Sequence, residues 1–171
     1  MKLSKNFSLN EFITSAGIII KPTDNQIFCL QTLAINILQP IRDKFGPITI
    51  ASGLRNKESY QKLIEQGYPA SKTSDHFAWD EIKPNGTGAA DFYVPLSPML
   101  CSDIVSMKMI FNWIIKTLFN KCRQIIYYPD MNVIHVSNNF NLIFKMEDNI
   151  STDKRVLIKN KNTGFIPYTN N

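Results

Sequence analysis

One pattern constrains the fold of this chain more than any other. Ile27, Leu30, Ala34, Ile37, Leu38, Ile41 and Phe45 recur at helical spacing, so residues 24–45 read as one long amphipathic helix. Its start is marked by Thr23 and Gln26, a capping-box pair. Gly46-Pro47 stops it, and Pro40 inside the pattern is expected to kink or break it. A helix with one apolar stripe needs a second layer to cover that stripe.

The rest of the sequence supplies that layer. Ser8 and Glu11 make a second capping pattern, opening a short helix over about 9–15. Residues 48–51 are a short β-branched run that ends at Ser52-Gly53, and 57–66 read as a helix closed by Gly67. From 68 to 88 the chain is loop-like, and 89–94 read as a strand. A second long helix is expected over 102–120, with Ile104, Val105, Ile110, Trp113, Ile114 and Leu118 on its apolar face. Three candidate strands follow, 124–128, 133–137 and 142–146, separated by the turn signals Pro129-Asp130 and Asn138-Asn139. One more edge strand is expected over 155–159. Helices first and an antiparallel meander last predict an α+β fold, a central antiparallel sheet with helices packed on it.

At 171 residues, with no internal repeat or long linker, the chain reads as a single domain spanning 1–171. No run of about 18 uninterrupted apolar residues exists, so no membrane span is expected. The nearest candidate, 107–119, is broken by Lys108, Asn112, Lys116 and Thr117. The N-terminus lacks the apolar core of a signal peptide. Cys29, Cys101 and Cys122 are too scattered for a disulfide framework or a thiolate zinc site. The formal charge of +5 is compatible with a polyanionic partner. Yet the basic residues are dispersed, with one cluster at Lys154, Arg155, Lys159 and Lys161, and no aromatic platform accompanies them. Nucleic-acid binding is therefore not expected.

The chain has only two histidines, His76 and His135. Any imidazole chemistry falls to them. Alternation along the strands puts Ala89, Asp91 and Tyr93 on one face, and Val133, His135 and Ser137 on another. If those faces meet, His76, Asp91 and His135 make a three-ligand set of the kind catalytic zinc uses. Spacing alone leaves open the alternative of two unrelated histidines, one in a loop and one in a sheet.

Four short motifs follow in order: Ser52-Gly53-Leu54-Arg55, Thr73-Ser74-Asp75-His76, Gly88-Ala89-Ala90-Asp91 and Ile134-His135-Val136-Ser137. Together with Phe7-Ser8-Leu9-Asn10-Glu11-Phe12 and Leu38-Gln39-Pro40-Ile41-Arg42 upstream, they resemble the zinc D-alanyl-D-alanine carboxypeptidase family, over roughly residues 7–137. That family includes phage endolysins and L-alanyl-D-glutamate endopeptidases. The resemblance implies a hedgehog/DD-peptidase-like fold and hydrolysis of peptide bonds in bacterial peptidoglycan. It makes Zn²⁺ the cofactor and His76, Asp91 and His135 its ligands. It gives Arg55 to the scissile carbonyl oxygen as negative charge develops there, and Ser74 to orienting the substrate. The implied partners are peptidoglycan peptides and phage particle components. The implied setting is phage-encoded, in the host cytoplasm with release by lysis, or virion-associated.

Two features depart from the family pattern. Fourteen residues, 77–90, separate the first two ligands, a longer stretch than is usual. Phe77 and Trp79 within it are candidates for lining or covering the cleft. Second, the position three before His135, where the family keeps a carboxylate as general base, is Asn132. An amide cannot take a proton from water. Asp130 is the first candidate to replace it, with Asp80 and Glu81 next. The alternative is a wall-binding or virion structural component that keeps the peptidase fold and has lost the chemistry.

Overall fold

The computed structural model describes residues 1–68, 70–79, 87–95, 106–138, 155–160 and 164–168. The expected strand at 142–146, residues 102–105 of the second long helix, and Asp80 and Glu81 lie outside them.

The long amphipathic pattern forms one continuous helical rod in three parts: α1 (Asp24–Leu33), a π-helical turn (Ala34–Leu38) and α2 (Gln39–Phe45). Pro40 explains the middle part. Its ring needs clearance from the carbonyl four residues back, and it offers no N–H. The turn before it widens instead of breaking, and the Gln39 N–H donates to the Ala34 carbonyl, five residues back. Thr23 and Gln26 cap the start reciprocally, and Gly46 ends the rod at φ +86°.

The Ser8–Glu11 capping box is present, but it opens only a single 3₁₀ turn (Leu9–Glu11) rather than a helix to 15. The chain then folds into a small antiparallel ladder, β1 (Thr14–Ser15) with β2 (Ile18–Ile19). Ala16 and Gly17 make its turn, both at positive φ. That local turn ends the helical run.

The main sheet is built from β3 (Thr49–Ser52), β4 (Ala89–Tyr93), β5 (Cys122–Tyr128), β6 (Val133–Asn138), β7 (Arg155–Asn160) and β8 (Gly164–Pro167). Their spatial order is β3-β4-β6-β5-β7-β8. This corrects two expectations. The sheet is mixed rather than wholly antiparallel, because β7 runs parallel to β5. Nor is β7 an edge strand, since β8 pairs on its outer side. A strand that enters after an intervening connection is free to dock in either direction, and hairpin signals carry no information about it.

Register sorts the sheet into two faces. Ala90, Phe92, Ile134, Val136 and Ile125 pair across strands on one face and join the hydrophobic core. Leu30, Leu33, Ile37, Leu38 and Ile41 of the rod complete that core, together with Ile110, Phe111, Ile114 and Leu118 of α4 (Met107–Leu118). Phe45 meets Trp113 edge-on at 5.3 Å, joining α2 to α4. No described helix is long and apolar enough to cross a membrane.

On the opposite face, Asp91 pairs with His135, His135 with Ile126, Tyr128 with Val133, and Lys159 with Phe165. Every residue of β6 is buried, so this second face is covered too. Its cover comes from α3 (Lys57–Glu65) and the 3₁₀ turn Asp75–Phe77, which meet where Tyr60 packs on Phe77 at 5.8 Å.

Candidate metal centre

Three chain segments converge on the polar face. The first is the turn after β3. A bulge shifts the β3–β4 register between Ile50 and Ser52, so that Ser52 stands opposite Asp91 and the chain bends into Gly53-Leu54-Arg55. The N-terminal segment lies directly on this turn, with the Leu54 N–H donating to the Phe12 carbonyl at 2.6 Å. A Cβ on Gly53 would stand 2.4 Å from the Phe12 oxygen and 2.6 Å from its Cα. Only glycine admits that approach. Gly53→Ala is therefore expected to cost about 1–3 kcal/mol by overpacking, read as a lowered thermal midpoint. An unchanged midpoint would show that the Phe12 backbone yields freely.

The second segment carries His76. Ser74 caps its turn, the hydroxyl accepting from the His76 N–H at 3.3 Å. The Arg55 N–H donates to the His76 carbonyl at 2.8 Å. His76 Nδ1 lies 2.6 Å from the Gly53 carbonyl, which can only accept, so the proton sits on Nδ1 and the Nε2 lone pair faces Asp91. The turn is anchored through its neighbour Asp75. That buried carboxylate takes Arg123 Nη1 on both oxygens and accepts from Ser137 Oγ at 2.7 Å.

The third segment is the β4–β6 pair, whose register sets Asp91 directly against His135. Asp91 Oδ1 lies 3.3 Å from His76 Nε2 and 2.7 Å from His135 Nδ1. The two imidazoles stand edge to face, 5.0 Å between centroids. Among the described residues, ligand atoms of His76, Asp91 and His135 all lie within 4.8 Å of one another. This buried group could hold a metal ion. The donor set fits one: two imidazole nitrogens and a carboxylate oxygen suit zinc, and ligand atoms around a tetrahedral ion stand roughly 3.3 Å apart. His135 Nε2 and Arg55 Nε are also buried without a hydrogen-bond partner among the described residues, so the protein alone leaves this centre incompletely satisfied.

The electrostatics agree with that donor set. Burial alone would raise the Asp91 carboxyl, but His76 and His135 outweigh it and hold it well below the usual carboxylate range. Burial pushes His76 down from its ordinary value despite the pull of Asp91, which keeps the ring neutral and able to ligate. Arg55 Nη2 sits 4.0 Å from Asp91 Oδ2 and donates to Ser52 Oγ at 3.4 Å. Burial lowers its guanidinium somewhat, and Asp91 opposes that.

A cleft of about 440 Å³ adjoins this group through Asp91, while neither histidine lines it. Arg55, Asp91, Tyr128, Asp130, Met131, Val133 and Lys159 line it on the sheet side, and Leu63, Tyr68 and Ala70 on the other. Asp130 is thus on the cleft wall. Asn132 is exposed, held at φ +53° as the cap of the 3₁₀ turn Pro129–Met131. Of the two candidates, neither Phe77 nor Trp79 is among the residues that line the cleft. Phe77 is fully buried against Tyr60, and Trp79 packs on the core. Ala78 and Trp79, just after His76, stand at positive φ.

Three contributors escaped sequence reasoning. Asp75 stands in a quoted motif, but its partners are 48 and 62 residues away. Tyr128 adjoins the Pro129-Asp130 turn signal, and burial together with the Asp91 charge raises its phenol well above the usual value. Lys159 was visible only as one member of a basic cluster. Comparison with protein-family models, with curated proteins and with solved structures returns no match. The chemistry of the site therefore rests on its own geometry.

Proposed function

We propose that this chain is a zinc-dependent peptidase acting on the stem peptides of bacterial peptidoglycan, with a hedgehog/DD-peptidase-like fold. The observation that carries the reading is the convergence of His76, Asp91 and His135 beside Arg55, with Arg55 and Asp91 lining a cleft that a carboxylate, Asp130, also lines. These are the residues that the ordered motifs single out, and they come from separate segments of the chain.

His76, Asp91 and His135 would hold the ion. When bound, zinc lowers the pKa of a coordinated water towards about 7 and polarises a carbonyl. The chain's own groups do the rest. Arg55 presents a fixed cation to the carbonyl oxygen of the scissile bond as its charge grows. Asp130 holds and returns the proton in place of the carboxylate that Asn132 lacks. Ser74 fixes the His76 backbone through its hydroxyl and, in this reading, orients the substrate. Asp75, through Arg123 and Ser137, holds the histidine turn against the sheet. A phage-encoded protein reaching the wall by lysis, or carried on a particle, fits this activity.

The test is metal analysis of the purified protein combined with digestion of purified cell wall. One zinc per chain and release of D-alanine or stem-peptide fragments are expected. Stoichiometric zinc with no cleavage of any muropeptide would favour the second reading, a wall-binding or virion component that retains the metal and has lost hydrolysis. Asn132, exposed and without a carboxylate, is the observation on that side.

A further inference from the structure

The turn that carries His76 is held from both sides, and its second anchor comes from the start of the rod. Asp75, before the histidine, is fixed by Arg123 and Ser137. Phe77, after it, presents a carbonyl at the end of the 3₁₀ turn, where the turn itself supplies no donor. Gln26 Nε2 donates to that carbonyl at 3.1 Å, from 51 residues earlier in the chain. Gln26 and Phe77 are both buried, so bulk water is kept from the bond. The same amide has a second duty. Its Oε1 accepts from the Thr23 N–H at 3.0 Å, while the Gln26 backbone N–H donates to Thr23 Oγ1 at 3.2 Å, closing the capping box of α1. A capping box needs only an acceptor at this position, and glutamate supplies one as well as glutamine does. At neutral pH only an amide offers an acceptor to Thr23 and a donor to Phe77 at once. The demand for glutamine therefore comes from the histidine turn and not from the helix.

We infer that Gln26 is a positioning residue for His76: it pins the carbonyl that follows the histidine, and so keeps the ring against the Gly53 carbonyl with Nε2 toward Asp91. This rests on the metal-centre part of the reading above, and adds to it a residue outside both the ligand set and the cleft lining. With the donor removed, the buried Phe77 carbonyl is left unpaired, and the turn must shift to find another partner or bear that cost. The Phe77 ring is packed on Tyr60, so the shift falls on the backbone that carries His76.

The test compares Gln26→Glu, Gln26→Met and Thr23→Ala in the full chain, by zinc affinity against a competing chelator and by thermal midpoint. Gln26→Glu keeps the acceptor for Thr23 and loses the donor for Phe77, and Gln26→Met loses both. Thr23→Ala removes the cap hydroxyl and leaves the Phe77 bond in place. Both Gln26 variants are expected to weaken zinc binding by about 10-fold, the lower end of what groups behind the ligands contribute. Thr23→Ala should lower the thermal midpoint and hold zinc within about twofold of the wild type. Wild-type zinc affinity in Gln26→Glu, or losses of affinity that follow the midpoint equally in all three variants, overturns the assignment. If Gln26→Glu does not fold, Gln26→Met against Thr23→Ala makes the same comparison. Histidine-selective nitrogen NMR of the metal-free chain gives a reading that needs no zinc, since only two histidines contribute. The Nδ1–H form of His76 should diminish in both Gln26 variants and persist in Thr23→Ala. Absence of zinc from the wild type defeats the metal reading and leaves Gln26 to be decided by that spectrum. Normal zinc binding with an unaltered His76 in Gln26→Glu defeats the role of Gln26 alone.

Discussion

An Asp91→Asn variant is expected to lose zinc affinity by at least about 100-fold, more than the 10–100-fold that follows from disturbing groups behind the ligands. Asp91 Oδ1 sits between both histidine nitrogens, at 3.3 and 2.7 Å. An amide removes the anionic ligand and the charge that favours a cation at this buried point. The measurement is zinc content after dialysis, with competition against a chelator of known strength. Wild-type zinc content in Asp91→Asn would mean that the ion binds elsewhere. Proton competition sharpens the test. His76 is pushed below its ordinary value, so it stays neutral to lower pH than a free imidazole, near 6.5. Asp91, lower still, remains charged through the same range. Acid should therefore release the metal through protonation of His76, well before the Asp91 carboxylate titrates.

The second large effect concerns the proton. Asp130→Asn is expected to reduce hydrolysis by roughly 10²–10⁴-fold while leaving zinc content unchanged. Asn132 caps a 3₁₀ turn in the left-handed region and cannot accept a proton through its amide. The same turn carries Asp130 on the cleft wall with Arg55 and Asp91. Adding Asn132→Asp to Asp130→Asn should recover part of the loss if the base is defined by reach into the cleft rather than by sequence position. Full activity in Asp130→Asn would remove this residue from the mechanism and leave the proton to another carboxylate. Metal binding tests the ligands and this series tests the base, so the two failures are separable.

Much of this architecture was legible before any coordinates. The rod over 24–45 and the strands around Asp91 and His135 follow from period-3.6 and period-2 patterns, which are local, whereas the facing of those two side chains comes from the β4–β6 register. Both capping boxes were legible for the same reason. What escaped was decided by distant parts of the chain. Pro40 widens the rod without breaking it because the buried stripe on both sides holds the two halves in line. The 9–15 segment loses its helix to the turn at Ala16-Gly17. The direction of β7 is set by its pairing with β5, a distant strand that no local pattern encodes. Within the site, His76, Asp91 and His135 were identifiable as chemistry-bearing residues. Asp75 and Lys159 were not, since their significance lies wholly in partners brought from other strands.

The carbonyl of Phe12 rests on the turn that presents Gly53 to His76 and Arg55 to Asp91. Docking of the first residues and occupation of the metal centre are consequently two ligand-like events sharing one binding surface. Thermodynamic reciprocity then requires any effect of one on the other to be returned by the same factor. If metal loading tightens the hold on the N-terminus, the N-terminus tightens the hold on the metal to the same degree. A change at the Phe12 contact can then alter the grip on the ion from a position that never touches it.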